Sequence, residues 1–197
     1  MKTIIKSLTG LNILIALFVV WGFTSIAQTN NDYSNDPGYV NFGDLSKYMT
    51  GDNVTEVTIG SNLLQMVGKM ANDSSNPKLK GLLNGLKLVE VRSFDADSKD
   101  VGDIREKINS IDQTLISKNW NRIVKVSEKK NGEYTNIYVK ASPDNNSFQG
   151  LAITSIDDSN KVTFVNIVGN INVNDLGELG HEFNIPSLNK MHKNKKQ

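Results

Sequence analysis

Across 197 residues, 22 Lys and Arg stand against 21 Asp and Glu, and cysteine is absent. That balance excludes a nucleic-acid partner, because phosphate binding needs a concentrated basic surface and the only basic cluster is the tail from Lys190 to Lys196. Without cysteine there is no disulfide framework and no residue to carry the lipid of a lipoprotein.

Residues 1–27 are laid out as a cleavable export signal. Lys2 and Lys6 precede an apolar run from Leu11 to Phe23, and Thr24-Ser25-Ile26-Ala27 ends it with Ser25 and Ala27 at the −3 and −1 places of a signal-peptidase site. The apolar run is too short to span a bilayer comfortably. The mature chain is expected to begin at Gln28 in the periplasm or outside the cell. It loses two basic residues and no acidic one with the signal, and so stays close to neutral. One domain suits this length. It is expected over residues 39–186, after a polar, turn-rich and disordered leader over 28–38 and before a basic, flexible tail over 187–197.

Val54-Thr55-Glu56-Val57-Thr58-Ile59 is rich in β-branched residues and reads as a strand. Leu63, Leu64, Val67 and Met70 follow at helical spacing, with Ser61 as a cap. After a break at Asp73–Pro77, Pro77 opens a second short helix carrying Leu79, Leu82, Leu83 and Leu86. Leu88 to Phe94 reads as a strand. The best-marked helix spans 100–118, where Val101, Ile104, Ile108, Ile111 and Leu115 recur in steps of three and four. Its other positions, Asp112 among them, are expected to be wet.

From Trp120 the period becomes strand-like. Asn121–Lys129 and Glu133–Lys140 flank Asn131-Gly132, a strong hairpin signal because both residues tolerate positive φ. Turns at Ser142–Asn146 and Asp157–Asn160 separate the further strands Phe148–Ile156 and Lys161–Val168. A short helix around Asn174–Phe183 is expected to close the domain. The whole is an α+β class: a mostly antiparallel sheet with a four-stranded C-terminal meander and helices packed on it.

No reactive constellation emerges, so no catalytic, cofactor-binding or metal-ligating residue is assigned. His181-Glu182-Phe183-Asn184-Ile185 begins like a zinc-protease helix, but Ile185 stands where the second ligand is required. Asp95, Asp97, Asp103 and Glu106 fall at calcium-loop positions, yet Lys99 replaces an oxygen ligand and Asp100 replaces the turn glycine. Asp97, Ser98 or Asp100 is better read as a helix cap. Neither a nucleophile elbow nor a phosphate-binding glycine loop occurs. Tyr134 and Tyr138 share one sheet face, either as a ligand platform or, more simply, packed beneath a helix or paired across strands.

Trp120-Asn121-Arg122-Ile123-Val124-Lys125-Val126, Tyr138-Val139-Lys140, Gly150-Leu151 and Val165-Asn166-Ile167-Val168-Gly169-Asn170-Ile171 resemble a family of secreted Gram-negative proteins known as a domain of unknown function, family 4252. The resemblance runs from about Phe42 to Ile185. It implies an extracytoplasmic α+β domain, a glycine at 169 that frees the chain for its final helix, and no catalytic residues. Members are often lipoproteins; this chain lacks the cysteine.

The function expected is that of an exported, non-catalytic envelope protein, a partner-binding or regulatory module without a cofactor. Its partner would be an envelope protein, and it would meet a membrane only through an uncleaved signal or the basic tail. Two alternatives are a small-ligand carrier with an apolar pocket between the Leu63–Leu86 helices and the sheet, and a hydrolase of envelope polymers. The hydrolase would pair Asp95, Asp97 or Asp100 with Glu182 in one cleft.

Overall fold

The computed structural model describes residues 32–70, 77–128 and 132–172. Branched side chains that fit a pleated surface populate β1 (Val54–Gly60), β2 (Leu86–Asp95), β3 (Asn121–Glu128), β4 (Glu133–Ala141), β5 (Ser147–Ile156) and β6 (Lys161–Asn172). They form one six-stranded sheet in the order β1-β2-β6-β5-β4-β3, antiparallel between β1 and β2, β2 and β6, β3 and β4, and β4 and β5. Strands β3 to β6 lie side by side in chain order. Strand β2 adds to the far side of β6, with β1 beyond it.

Among the described residues three helices accompany the sheet: α1 (Ser61–Met70), α2 (Pro77–Gly85) and α3 (Val101–Ser117). The fold class is α+β. Ser61 is the first residue of α1, and Pro77 opens α2, where its missing N–H would have had no intrahelical partner. Asp100 takes the cap position of α3, but its carboxylate makes no capping hydrogen bond. The far end of α3 is firmly closed. Asn119 adopts φ 58°, Asn119 N donates to Ile116 O at 3.0 Å and Trp120 N to Leu115 O at 2.9 Å. This left-handed turn stops the helix and drives Trp120 into the core beside Leu115.

Alternation along the strands sends Phe94, Phe164, Ala152 and Tyr138 to one face, where Ile104, Ile108, Ile111 and Leu115 of α3 cover them. Beside α3 the same face receives the segment 38–49, which buries Val40, Phe42, Leu45 and Tyr48. Phe42 tilts against Phe164 at 5.2 Å between ring centroids, and Tyr48 stacks on Phe94 at 6.4 Å. Val91, Val165, Ile137 and Val139 on the opposite face are buried too.

Strand β6 does not stop at Val168, as the sequence suggested, but continues through Gly169 to Asn172. At Gly169 φ is +151°, and a Cβ there would lie 2.4 Å from Gly85 O and 2.6 Å from Leu86 Cα. Strand β2 enters the sheet at this point with a register shift between Leu86 and Leu88. The glycine therefore permits a close crossing of two backbones inside the sheet. The helix expected around residues 174–183 and the basic tail lie outside the described residues.

Asn166, fully buried on β6, fixes the N-terminal segment. Its Oδ1 accepts from Val40 N at 2.9 Å, and its Nδ2 donates to Gly38 O at 3.0 Å and Leu151 O at 3.2 Å. The anchored chain lies so close to the sheet that a Cβ on Gly38 would sit 1.8 Å from Gln149 O, and one on Gly150 would sit 2.6 Å from Gly38 Cα. Asp32–Gly38, part of the stretch expected to be loose, makes turns closed by Asp36 N to Tyr33 O and Tyr39 N to Asp36 O, each 2.9 Å. Asn166→Ala leaves a buried N–H and a buried C=O without partners. It is expected to destabilise the fold by roughly 2–4 kcal/mol in urea denaturation.

Candidate functional site

Two polar constellations stand out, one open and one closed. The open one is a cavity of about 420 Å³ at the end of the sheet where β2 starts and β6 ends. Among the described residues four stretches line it: Asp36 and Pro37, Lys87, the β4–β5 loop with the start of β5 (Ser142, Asp144, Ser147 and Gln149), and Gly169 with Asn170. Lys87 Nζ meets Asp36 Oδ1 at 2.5 Å, a half-exposed pair that joins the N-terminal segment to β2. Within the loop, Asp144 accepts hydrogen bonds from the Ser142 hydroxyl and from Asn146 N, and Ser147 N donates to Ser142 Oγ at 3.1 Å. These local bonds hold the Asp144 carboxyl below its ordinary value, the Ser142 hydroxyl contributing most. Among the described residues the lining offers hydroxyls, amides and charges of both signs, and none of it comes from α1 or α2.

The closed constellation lies under α3. Asp112, which the helical pattern assigned to the wet side, is only 6% exposed. It points at β4 and not at solvent, because the outer strands extend past the apolar stripe of the helix and offer it donors. Tyr134 Oη donates to Asp112 Oδ2 at 2.8 Å and Asn136 Nδ2 to the same oxygen at 2.5 Å. Asn136 Nδ2 also donates to Tyr134 Oη at 2.7 Å. Nearby, Arg122 Nη1 donates to Tyr138 Oη at 3.4 Å. The flank of α3 is stitched at both ends too, by Arg105 to Gly132 O and by Lys140 Nζ to Lys118 O at 2.5 Å.

Burial is the largest influence on Asp112, Tyr134 and Tyr138, the three titrating groups of this cluster. It pushes the Asp112 carboxyl up from 3.8 against the opposing hydrogen bond of Tyr134 and the charges of Arg122 and Lys125. It pushes the Tyr138 phenol up to about 12. On the same face, Glu90 is raised by burial although Arg92 Nη2 holds it at 2.7 Å.

The sequence-level candidates separate. Tyr134 and Tyr138 share a face as expected and pack beneath α3, so they do not form an open platform. Asp95 ends β2 and accepts from Asn53 Nδ2 at 2.7 Å; Asp97 lies 3.4 Å from Lys99; Asp103 lies 3.9 Å from Lys47. Asp103 and Glu106 already belong to α3, so the calcium-like spacing is divided among a strand, a loop and a helix. His181, Glu182 and the tail lysines lie outside the described residues. Among the described residues no three His, Cys, Asp or Glu side chains gather, and no helix is long and apolar enough to cross a membrane.

A six-stranded antiparallel sheet covered on one face by a long helix, with a polar cavity at one end, is an α+β domain. Residues 48–179 match the family described as domain of unknown function (DUF4252), and the chain belongs to that family. No curated protein and no solved structure matches it.

Because the folded-state pKa of Asp112 is raised, the folded protein holds this proton where the unfolded chain has released it. Its stabilising contribution is complete below about pH 3.8 and is lost as pH rises through the folded value. Asp112→Asn keeps an acceptor for Tyr134 and removes the titration. Its melting temperature is expected to fall less than the wild type's between about pH 4 and 7, with the Glu90 contribution unchanged.

Proposed function

We propose that the protein is an exported, non-catalytic module that engages a protein partner in the cell envelope through the cavity at the end of its sheet, in a regulatory or assembly role. The layout of residues 1–27 supports the export half of this reading. The lining of the cavity carries the binding half. Polar groups converge there from strand ends and a self-bonded loop, a pre-formed arrangement that loses little freedom when a partner docks. Its volume falls in the range of specific sites, and its mixture of Lys87, Asp36 and Asp144 with Ser142 and Ser147 matches polar side chains and peptide groups better than an apolar ligand.

A photo-activatable side chain placed at Asp144 or Asn170, both on the cavity wall, tests this in the native envelope. One discrete protein adduct is expected from these positions and none from exposed Gln113 on α3. Lys87→Glu is expected to reduce the adduct about tenfold. Equal labelling from all three positions, or a small-molecule adduct alone, would overturn the reading.

A further inference from the structure

Among the described residues, three buried side-chain oxygens beneath α3 have no hydrogen-bond partner: Asp112 Oδ1, Asn136 Oδ1 and Thr154 Oγ1. Asn136 and Thr154 are fully buried and face each other directly across β4 and β5, which places their Cβ atoms about 4.5–5.5 Å apart. Asp112 reaches the same spot from the helix, since its other oxygen is bonded to Asn136 Nδ2. Leaving a buried polar group without a partner is costly, so three at one place point to a ligand.

The chemistry of the three atoms defines that ligand. The carboxylate and amide oxygens only accept, and the threonine hydroxyl has one proton to give. A single water accepts from the hydroxyl and donates to the two acceptors, which leaves no atom unmatched. Three such bonds are the usual complement of an internal water. Turning the Asn136 amide over does not remove the need. It would set Asn136 Oδ1 in the place of Nδ2, 2.5 Å from a carboxylate oxygen, and would cost the bond to Tyr134. A bare cation is less well served, because three oxygens fall short of a cation's shell and Asp112 already feels the positive charges of Arg122 and Lys125.

We propose that Asp112, Asn136 and Thr154 form a specific internal site for one water molecule, which accepts from the Thr154 hydroxyl and donates to Asp112 Oδ1 and Asn136 Oδ1. The polar flank of α3 then rests on the sheet through a bridging water, while its apolar flank is dry.

Magnetic relaxation dispersion of solvent oxygen, which counts long-lived internal waters, tests the site on the full chain. Thr154→Val keeps the shape and removes the hydroxyl; Thr154→Ser keeps the hydroxyl. The valine variant is expected to show one long-lived water fewer than the wild type and a melting temperature lower by roughly 2–4 °C, and the serine variant to keep the water. An unchanged count in the valine variant overturns the site whatever its melting temperature. A melting temperature raised in that variant gives the reason, since a hydroxyl truly without a partner is better removed. The proposal also fails if sodium or ammonium chloride, compared with choline chloride at equal ionic strength, raises the wild-type melting temperature and not that of Thr154→Val. The occupant would then be a cation.

Discussion

The fold depends on one buried amide. Asn166 sits in the middle of the sheet, on a strand otherwise lined with Val162, Phe164, Val165, Ile167 and Val168. An apolar residue there would pack equally well against its neighbours but would leave Val40 N and Gly38 O with nothing to bond. The amide serves a donor and two acceptors at once, and so decides where the N-terminal segment lies and which of its side chains point inward. The tilted contact of Phe42 with Phe164 and the stacking of Tyr48 over Phe94 follow from that placement. The crossing of Gly38 over Gly150 follows too: the chain is pulled down until backbone meets backbone, and no side chain fits between.

The long helix α3 is held in two different ways. Its apolar stripe would tolerate a small slide along the sheet, because dispersion and burial are non-directional. The polar flank does not, since Arg105, Asp112 and Lys118 O each meet a specific atom on or beside β4. Burial against the core supplies most of the adhesion, and the directional bonds set the register. That division explains the retention of a carboxylate whose charged form burial disfavours.

Much of this architecture is written in local periodicity. The β-branched stretches mark the strands, the steps from Ile104 to Leu115 mark α3, and Asn119 supplies a stop that only its left-handed conformation reveals. Pairings across long separations leave no such mark, so the docking of β2 beside β6 and the four-part lining of the cavity were not legible. Asp112 was misread because a helical pattern sorts polar residues to water and cannot see a neighbouring strand that offers hydrogen bonds. A sign was present in β4, where Tyr134, Asn136 and Tyr138 alternate with Ile137 and Val139: both faces of that strand needed cover, and the polar face needed a polar one. Asn166 lies within the motif that carries the family resemblance, yet a lone amide among Val165, Ile167 and Val168 gives no hint that its partners lie at residues 38 and 40.

The separation between Asn166 and Val40 also sets a clock. The two are 126 residues apart, so a chain made at 5–20 residues per second presents Val40 roughly 6–25 s before its anchor exists. During that interval Val40 lacks the Asn166 amide and Phe42 lacks the Phe164 ring, and their apolar surface faces whatever surrounds the nascent chain. Closure of the core is postponed until almost the last strand has arrived. A domain wired in this way stays threadable for most of its synthesis and becomes rigid only at the end.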